Sequence, residues 1–129
     1  MNQNIACIPV HGGGTLEVGT TYIYGFSAPD AGNGGGLSVT SVNYACNEAL
    51  AAASAPNLTL VKLTSAGVVN GTIATATGSV AWTAGTAFAG TLSTTFVDAS
   101  EQVAVMWVQT AANADEPVIT CAVSYVMGK

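Results

Sequence analysis

The sequence predicts an all-β chain, an antiparallel sandwich or barrel of about seven to eight short strands. Three observations carry this. Ile119, Cys121, Val123, Tyr125 and Met127 alternate with Thr120, Ala122 and Ser124, the period-two pattern of a strand with one face on a core. Val103 to Val108 is apolar at every position and rich in β-branched and aromatic residues, as expected of a strand buried on both faces. Gly, Pro and Asn punctuate the rest of the chain at close spacing, with no helical period. The runs Gln102 to Gln109 and Pro117 to Met127, joined by Thr110 to Glu116, are expected to form a hairpin at the sheet centre.

Taken in order, residues 1–14 end in His11-Gly12-Gly13-Gly14 and read as a flexible N-terminal arm, ordered against a neighbour. Residues 15–129 are expected as a single β-sandwich domain, in line with the size of ordinary domains. Gly19 to Ser27 is the first strand, with Tyr22, Tyr24 and Phe26 on one face and expected to supply much of the buried area. Ala28 to Gly36 is a loop in which Asn33-Gly34 suits a turn with positive φ. Leu37 to Cys46 is a strand whose inward set begins as Leu37 and Val39 and changes parity to Val42, Tyr44 and Cys46. That change places a β-bulge near Thr40-Ser41. Asn47 to Pro56 is a short Ala-rich helix or a compact crossover loop, since Pro56 stops any helix early. Leu58 to Thr64 is a strand carrying Lys62, and Asn70-Gly71 offers a hairpin turn into Thr72 to Thr77. Ser79 to Phe88 carries Trp82, and Thr91 to Val97 is a strand with Leu92 and Phe96 on its buried side. Asp98 to Glu101 is a turn.

Composition narrows the function. Only 7% of the residues are charged, the net charge is −5, and Lys62 and Lys129 are the only basic residues. Nucleic acids and anionic membranes are bound through Lys and Arg that displace counterions, so neither is an expected partner. A surface built from Thr, Ser, Asn, Gln and Gly suits lasting contact with another protein. An exported, protease-resistant β-domain is the alternative. Cys7, Cys46 and Cys121 cannot all pair within one chain and show no Cys-x-x-Cys spacing. They are expected as reduced thiols in a chain folded in a reducing cytosol. The start lacks the basic n-region of a signal peptide, and Pro9 breaks the run that follows.

No catalytic, cofactor or metal site is expected. His11 is the only histidine and lies four residues after Cys7, but in a Gly-rich stretch with nothing to fix its geometry. Asp98 with Glu101 and Asp115 with Glu116 sit in predicted turns, where solvated carboxylates are the norm, and lack the alternating oxygen ligands of calcium loops. The glycines at 12–14 and 32–36 lack the Lys of a phosphate loop. Asn57-Leu58-Thr59 and Asn70-Gly71-Thr72 match glycosylation acceptors only as chance in a Thr-rich chain. Trp107 lies in the most apolar run and is expected in the core. Trp82 lies among small residues near a turn and is expected at an exposed contact, since Trp is enriched at interface hot spots.

Ala31 to Leu37, Ala89 to Ser93, Phe96 to Glu101 and Val123 to Lys129 together resemble the small Thr/Gly/Ala-rich virion proteins of tailed bacteriophages, capsid decoration (cement) proteins among them. The resemblance implies a jelly-roll-like sandwich, a homotrimer, and a non-enzymatic role on the capsid exterior. There it would bind the major capsid protein and stabilise contacts between its subunits, after synthesis in the host cytoplasm. His11, Gly12, Gly13, Asn33 and Trp82 are the expected interface residues. A phage fibre or tail component, or a small carbohydrate-binding module using Trp82 and Tyr residues, is the alternative.

Overall fold

A computed structural model describes residues 3–29, 35–53, 55–76, 81–85, 87–112 and 116–128. Among them the chain forms ten strands and no helix: β1 (Asn4–Gly12), β2 (Gly19–Ser27), β3 (Leu37–Cys46), β4 (Asn57–Leu63), β5 (Val69–Ala76), β6 (Ala87–Ala89), β7 (Thr91–Leu92), β8 (Phe96–Val97), β9 (Gln102–Gln109) and β10 (Val118–Met127). They make two antiparallel sheets. One runs β1-β10-β3-β6, with β8 also on β3; the other runs β2-β9-β4-β5-β7. The fold is thus all-β with two packed antiparallel sheets, consistent with a β-sandwich. The main core between them holds Ile8, Val42, Tyr44, Leu58, Leu60, Ile73, Val103, Val105, Ile119, Cys121 and Val123.

The long-range pairings are nested. β1 pairs β10, β2 pairs β9, β3 pairs β6 and β8, and β4 pairs β5. Consecutive strands therefore alternate between sheets along much of the chain. This is where the expected hairpin fails. β9 and β10 are each interior strands, but of opposite sheets. Alternation fixes which side chains of a strand face inward; it does not fix the neighbour, and both runs satisfy their core face against other partners.

Residues 4–12, expected within a flexible arm, are an edge strand. Its Ile8 and Val10 are buried in the core, so the break placed after residue 14 cuts through the packed sandwich. Gly13 and Gly14 take φ of +105° and +98° and end the strand rather than loosen it. β2 has the expected bounds, yet its aromatic face is the outer one: Tyr22 and Tyr24 are exposed. Between Tyr24 and Phe26 the register against β9 slips at Gly25, which turns Phe26 inward to stack on Tyr125 with ring centroids 5.7 Å apart. A β-bulge thus splits three aromatics that strict alternation places together.

β3 matches expectation in bounds and in its bulge. Val42 opposes Val123 and Val39 opposes Tyr125, which leaves Thr40 as the extra residue, and Leu37, Val39, Val42, Tyr44 and Cys46 are all buried. Residues 47–53 form bends and a turn. Asn47 Oδ1 accepts from the Val118 backbone N–H at 2.7 Å, tying the end of β3 to β10. The turn between β4 and β5 lies at Thr64 to Val68, not at Asn70-Gly71. Thr64 N–H donates to Val68 O (2.8 Å) and Gly67 N–H to Thr64 O (2.9 Å). Asn70 is a bulge residue inside β5, since Lys62 pairs Gly71 and Leu63 pairs Val69. The stretch expected as one strand from Thr91 to Val97 splits into β7 and β8 on different sheets. Leu92 is exposed and Phe96 half-buried, and it is Val97 that is buried.

Candidate interaction surface

The strands settle which side chains reach the two outer faces. On the β1-β10-β3 sheet, register places Ile5, Cys7 and Pro9 beside Ser124, Ala122 and Thr120, and these beside Ser41, Asn43 and Ala45. On the other sheet, Tyr22 and Tyr24 lie beside Met106 and Ala104, which lie beside Thr59 and Val61. Of these, Val61 and Ala104 are fully buried, packed with Leu63 and half-buried Met106 into a small second cluster, so Tyr22 and Tyr24 are what that face exposes at its β2 edge. Not one of these residues is charged.

Lys62 is the only charged residue in any of the ten strands, and it turns inward. It pairs core residue Val103, and its Nζ donates to Phe96 O at 3.1 Å and stands 3.4 Å from Glu101 Oε1. Glu101 is buried as well. Its Oε2 accepts from Asn70 Nδ2 at 2.5 Å and its Oε1 from the Asp98 backbone N–H at 2.8 Å. Burial by itself would push the Glu101 carboxyl up. The hydrogen bonds from Asn70 and Asp98 and the Lys62 charge outweigh that and hold it below the usual carboxylate range. The carboxylates described elsewhere, Glu17, Glu48, Asp98 and Glu116, lie outside the strands, in the connections.

Both sheets end on one margin of the sandwich, at β1 and at β2, and these two edges meet where Ile8 lies over Gly25. Beside this margin stand the large exposed apolar side chains Ile5 (68% exposed), Tyr24 (62%) and Tyr22 (40%), with Val18 in the connection between the two strands. Edge strands ordinarily carry Lys or other charges that discourage pairing with another chain. β1 and β2 carry none; Pro9 and a bulge before His11 interrupt β1, and the bulge at Gly25 interrupts β2.

The expected interface residues fare differently. His11 sits near the end of β1, half-buried, donating from Nδ1 to Pro117 O at 2.6 Å with its ring 5.2 Å from that of Trp107. It walls a cleft of about 220 Å³ with Glu17, Ile23 and Trp107, smaller than the ~300–1,000 Å³ of common small-molecule sites. Gly12 and Gly13 are exposed beside it, and Asn33 lies outside the described residues. Trp82 is corrected outright: it is buried, stacked on Phe88 at 5.4 Å and near Tyr44, in a bridge with Leu50. Its small neighbours leave room for core packing, which a local reading mistakes for exposure. Trp107 is buried as expected.

The thiols are unpaired, with Cys7 exposed and Cys46 and Cys121 buried. Burial pushes the Cys121 thiol up to about 12 beside the Tyr44 hydroxyl, and pushes Cys46 up too, so neither offers a thiolate near neutral pH. Among the described residues no three His, Cys, Asp or Glu side chains come together in a metal-binding group. What sequence reasoning missed is the pair Tyr22 and Tyr24 as surface, together with Ile5. The Gly25 between Tyr24 and Phe26 was the signal that could have revealed it. Compared with models of known families, with curated proteins and with solved structures, the chain has no significant match.

Proposed function

We propose that the chain is a non-enzymatic structural protein of a virion, of the capsid decoration type. It binds the outer surface of the shell and ties neighbouring major capsid subunits together, as a homotrimer. The observation that carries this is the pair of sheet faces without charge meeting at a margin without charge, with Ile5, Tyr22 and Tyr24 exposed beside it. Covering Thr, Ser and Asn strips no charge of its hydration, and their hydroxyls and amides can exchange water for hydrogen bonds to a partner, while covering Tyr and Ile gains roughly 25 cal/mol per Å² of apolar surface. Such a surface favours permanent contact over free life in solution.

Strand order supports the finer reading of a jelly roll. Counting β6 and β8, both on β3, as one strand and leaving out the short β7, the sheets read first-eighth-third-sixth and second-seventh-fourth-fifth. That is the order made by winding one long nested hairpin into two layers, the double Greek key used in viral capsid and lectin domains. The test is to add purified chain to particles that lack it and measure bound copies by quantitative mass spectrometry. Saturation at a number comparable with the major capsid protein is expected. A handful of copies moves the chain to a fibre or tail, and no binding refutes the virion role.

The exposed pair Tyr22 and Tyr24 favours a second reading, a glycan platform, because i and i+2 on one strand face present two adjacent rings. Glycan-array binding that disappears in Tyr24→Ala, without particle binding, would select it.

A further inference from the structure

The Lys62, Glu101 and Asn70 cluster joins a buried amine and a buried carboxylate to the carboxamide of a surface residue, in strands with almost no other charge. A single ion pair for stability is a poor explanation, because a buried pair roughly breaks even against apolar packing. The arrangement has a more specific feature. One carboxylate touches both the amine, at 3.4 Å, and the amide nitrogen, at 2.5 Å. The backbone brings the two reactants side by side. Lys62 pairs Gly71, and the bulge at Asn70 sets its side chain next to that pair. The lysine stem runs over Gly71, where a Cβ would stand only 3.1 Å from Lys62 Cε, so the glycine leaves the stem its path. The side chains of Lys62 and Glu101 are only 10% and 9% exposed, so the amine and its proton carrier are held away from water, while Asn70 lies at the surface, where the released ammonia can leave.

From this geometry we propose that Lys62 and Asn70 join in an intramolecular isopeptide bond, with Glu101 as the catalytic proton carrier. Glu101 takes a proton from the Lys62 ammonium, leaving a neutral amine. Nζ then attacks Asn70 Cγ, forming the Cγ–Nζ bond, and the amide oxygen takes up negative charge. Glu101 passes its proton to Nδ2 and takes a second one from Nζ, which it also delivers to the departing group. The Cγ–Nδ2 bond breaks, the carbonyl reforms, and the two protons leave on the former amide nitrogen as ammonium. Glu101 ends as the carboxylate it began as. No oxidant, metal or second substrate enters. The reaction needs the two groups close together and a relay within hydrogen-bond reach of both; the shared Glu101 carboxylate is that relay, and the pairing of Lys62 with Gly71 puts Asn70 next in line. Its product is a covalent staple across β4 and β5, closed by the residue that leads into β9.

Intact-mass measurement of the full chain, unfolded after purification, tests this directly. The parent chain is expected to weigh one ammonia less than its sequence, whether or not Met1 has been removed. A chymotryptic digest is expected to yield a branched peptide in which residues 62 and 70 stay joined despite cleavage after Leu63. Lys62→Met and Glu101→Gln are expected to show the full sequence mass. A parent chain of full mass overturns the proposal. So does a deficit that persists in Lys62→Met, because Asn70-Gly71 can lose the same ammonia by closing a succinimide on its own backbone. The branched peptide comes from the parent chain, so its presence or absence decides the question even if a variant fails to fold.

Discussion

Replacing Gly25 with Ala tests whether the N-terminal strand is part of the fold. Gly25 sits at the bulge in β2, and a Cβ there would stand 2.5 Å from Ile8 Cδ1, 2.9 Å from Ile8 Cγ1 and 3.1 Å from Val103 O. Its φ is not among the positive ones, so the backbone itself admits Ala. Ala in a strand interior should gain roughly 0.5–1 kcal/mol over Gly from lower chain entropy. Forcing a methyl into a packed contact costs about 1–3 kcal/mol, and backbone on one side limits the room to relax. The clash wins, and a net loss of about 1–2 kcal/mol is expected, a fall in Tm of roughly 3–6 °C for a domain of this size. Ile8→Ala alone should cost about 2–5 kcal/mol as a core truncation. In the double variant the new methyl enters the space Ile8 vacates, so the losses should fall short of additivity by at least ~1 kcal/mol. Urea unfolding followed by fluorescence reads this well, because Trp82 and Trp107 are both buried. Gly25→Ala that equals or exceeds the parent in stability, with an additive double variant, would show that Ile8 is not seated on β2 and that residues 4–12 are an arm after all.

Trp82→Phe should cost under about 1.5 kcal/mol, because its buried Nε1–H finds no partner among the described residues, whereas Trp82→Ala should cost about 3–5 kcal/mol; urea midpoints at constant m-value separate the two. A thiol reagent at mildly alkaline pH should modify Cys7 alone in the folded chain, since burial raises the other two thiols and shields them, and all three after unfolding. Modification of Cys121 at the rate of Cys7 would contradict its place in the core. Ile5→Lys and Tyr24→Lys should each leave stability within about 0.5 kcal/mol while abolishing particle binding, read by co-sedimentation. Unchanged binding in both would move the contact away from the β1 and β2 margin.

Patterns confined to one strand were legible. The inward set of Leu37 to Cys46, its bulge, and Ile119, Cys121 and Val123 of β10 followed from alternation alone, because burial of one face dictates the residue types at every second position; beyond the register shift at Ser124, Tyr125 is only half-buried and Met127, expected inward, is exposed. Features that depend on a partner far along the chain were not. Nothing local to Asn4–Gly12 shows that Val123 and Cys121 need a neighbour on that side; the demand comes from β10, more than a hundred residues later. Likewise, Asn70-Gly71 has the composition of a turn, but Gly67 at φ +82° makes the turn and the bulge absorbs Asn70. Tyr22 and Tyr24 read as core because aromatics bury the most area, and they are surface because β9 offers Ala104 and Met106 on that face rather than a second layer.

The placement of charge ties the fold to its proposed use. The one lysine within the strands is spent inside, on Glu101, while the carboxylates described on the surface sit in connections at the ends of the sandwich: Glu17 before β2, Glu48 after β3, Asp98 before β9 and Glu116 before β10. A net charge of −5 therefore repels like copies end to end and leaves the faces and the β1 and β2 margin neutral. Association should then proceed through faces or edges, and its affinity should change little with salt, since no ion pairs or released counterions contribute to it. A charged docking surface would behave the opposite way, losing affinity steeply as ionic strength rises. Strength would instead rest on Ile5, Tyr22 and Tyr24, few enough that one lysine among them removes much of it, which is why those single substitutions discriminate where deletion of residues 1–14, taking Ile8 and Val10 out of the core, would only unfold the chain.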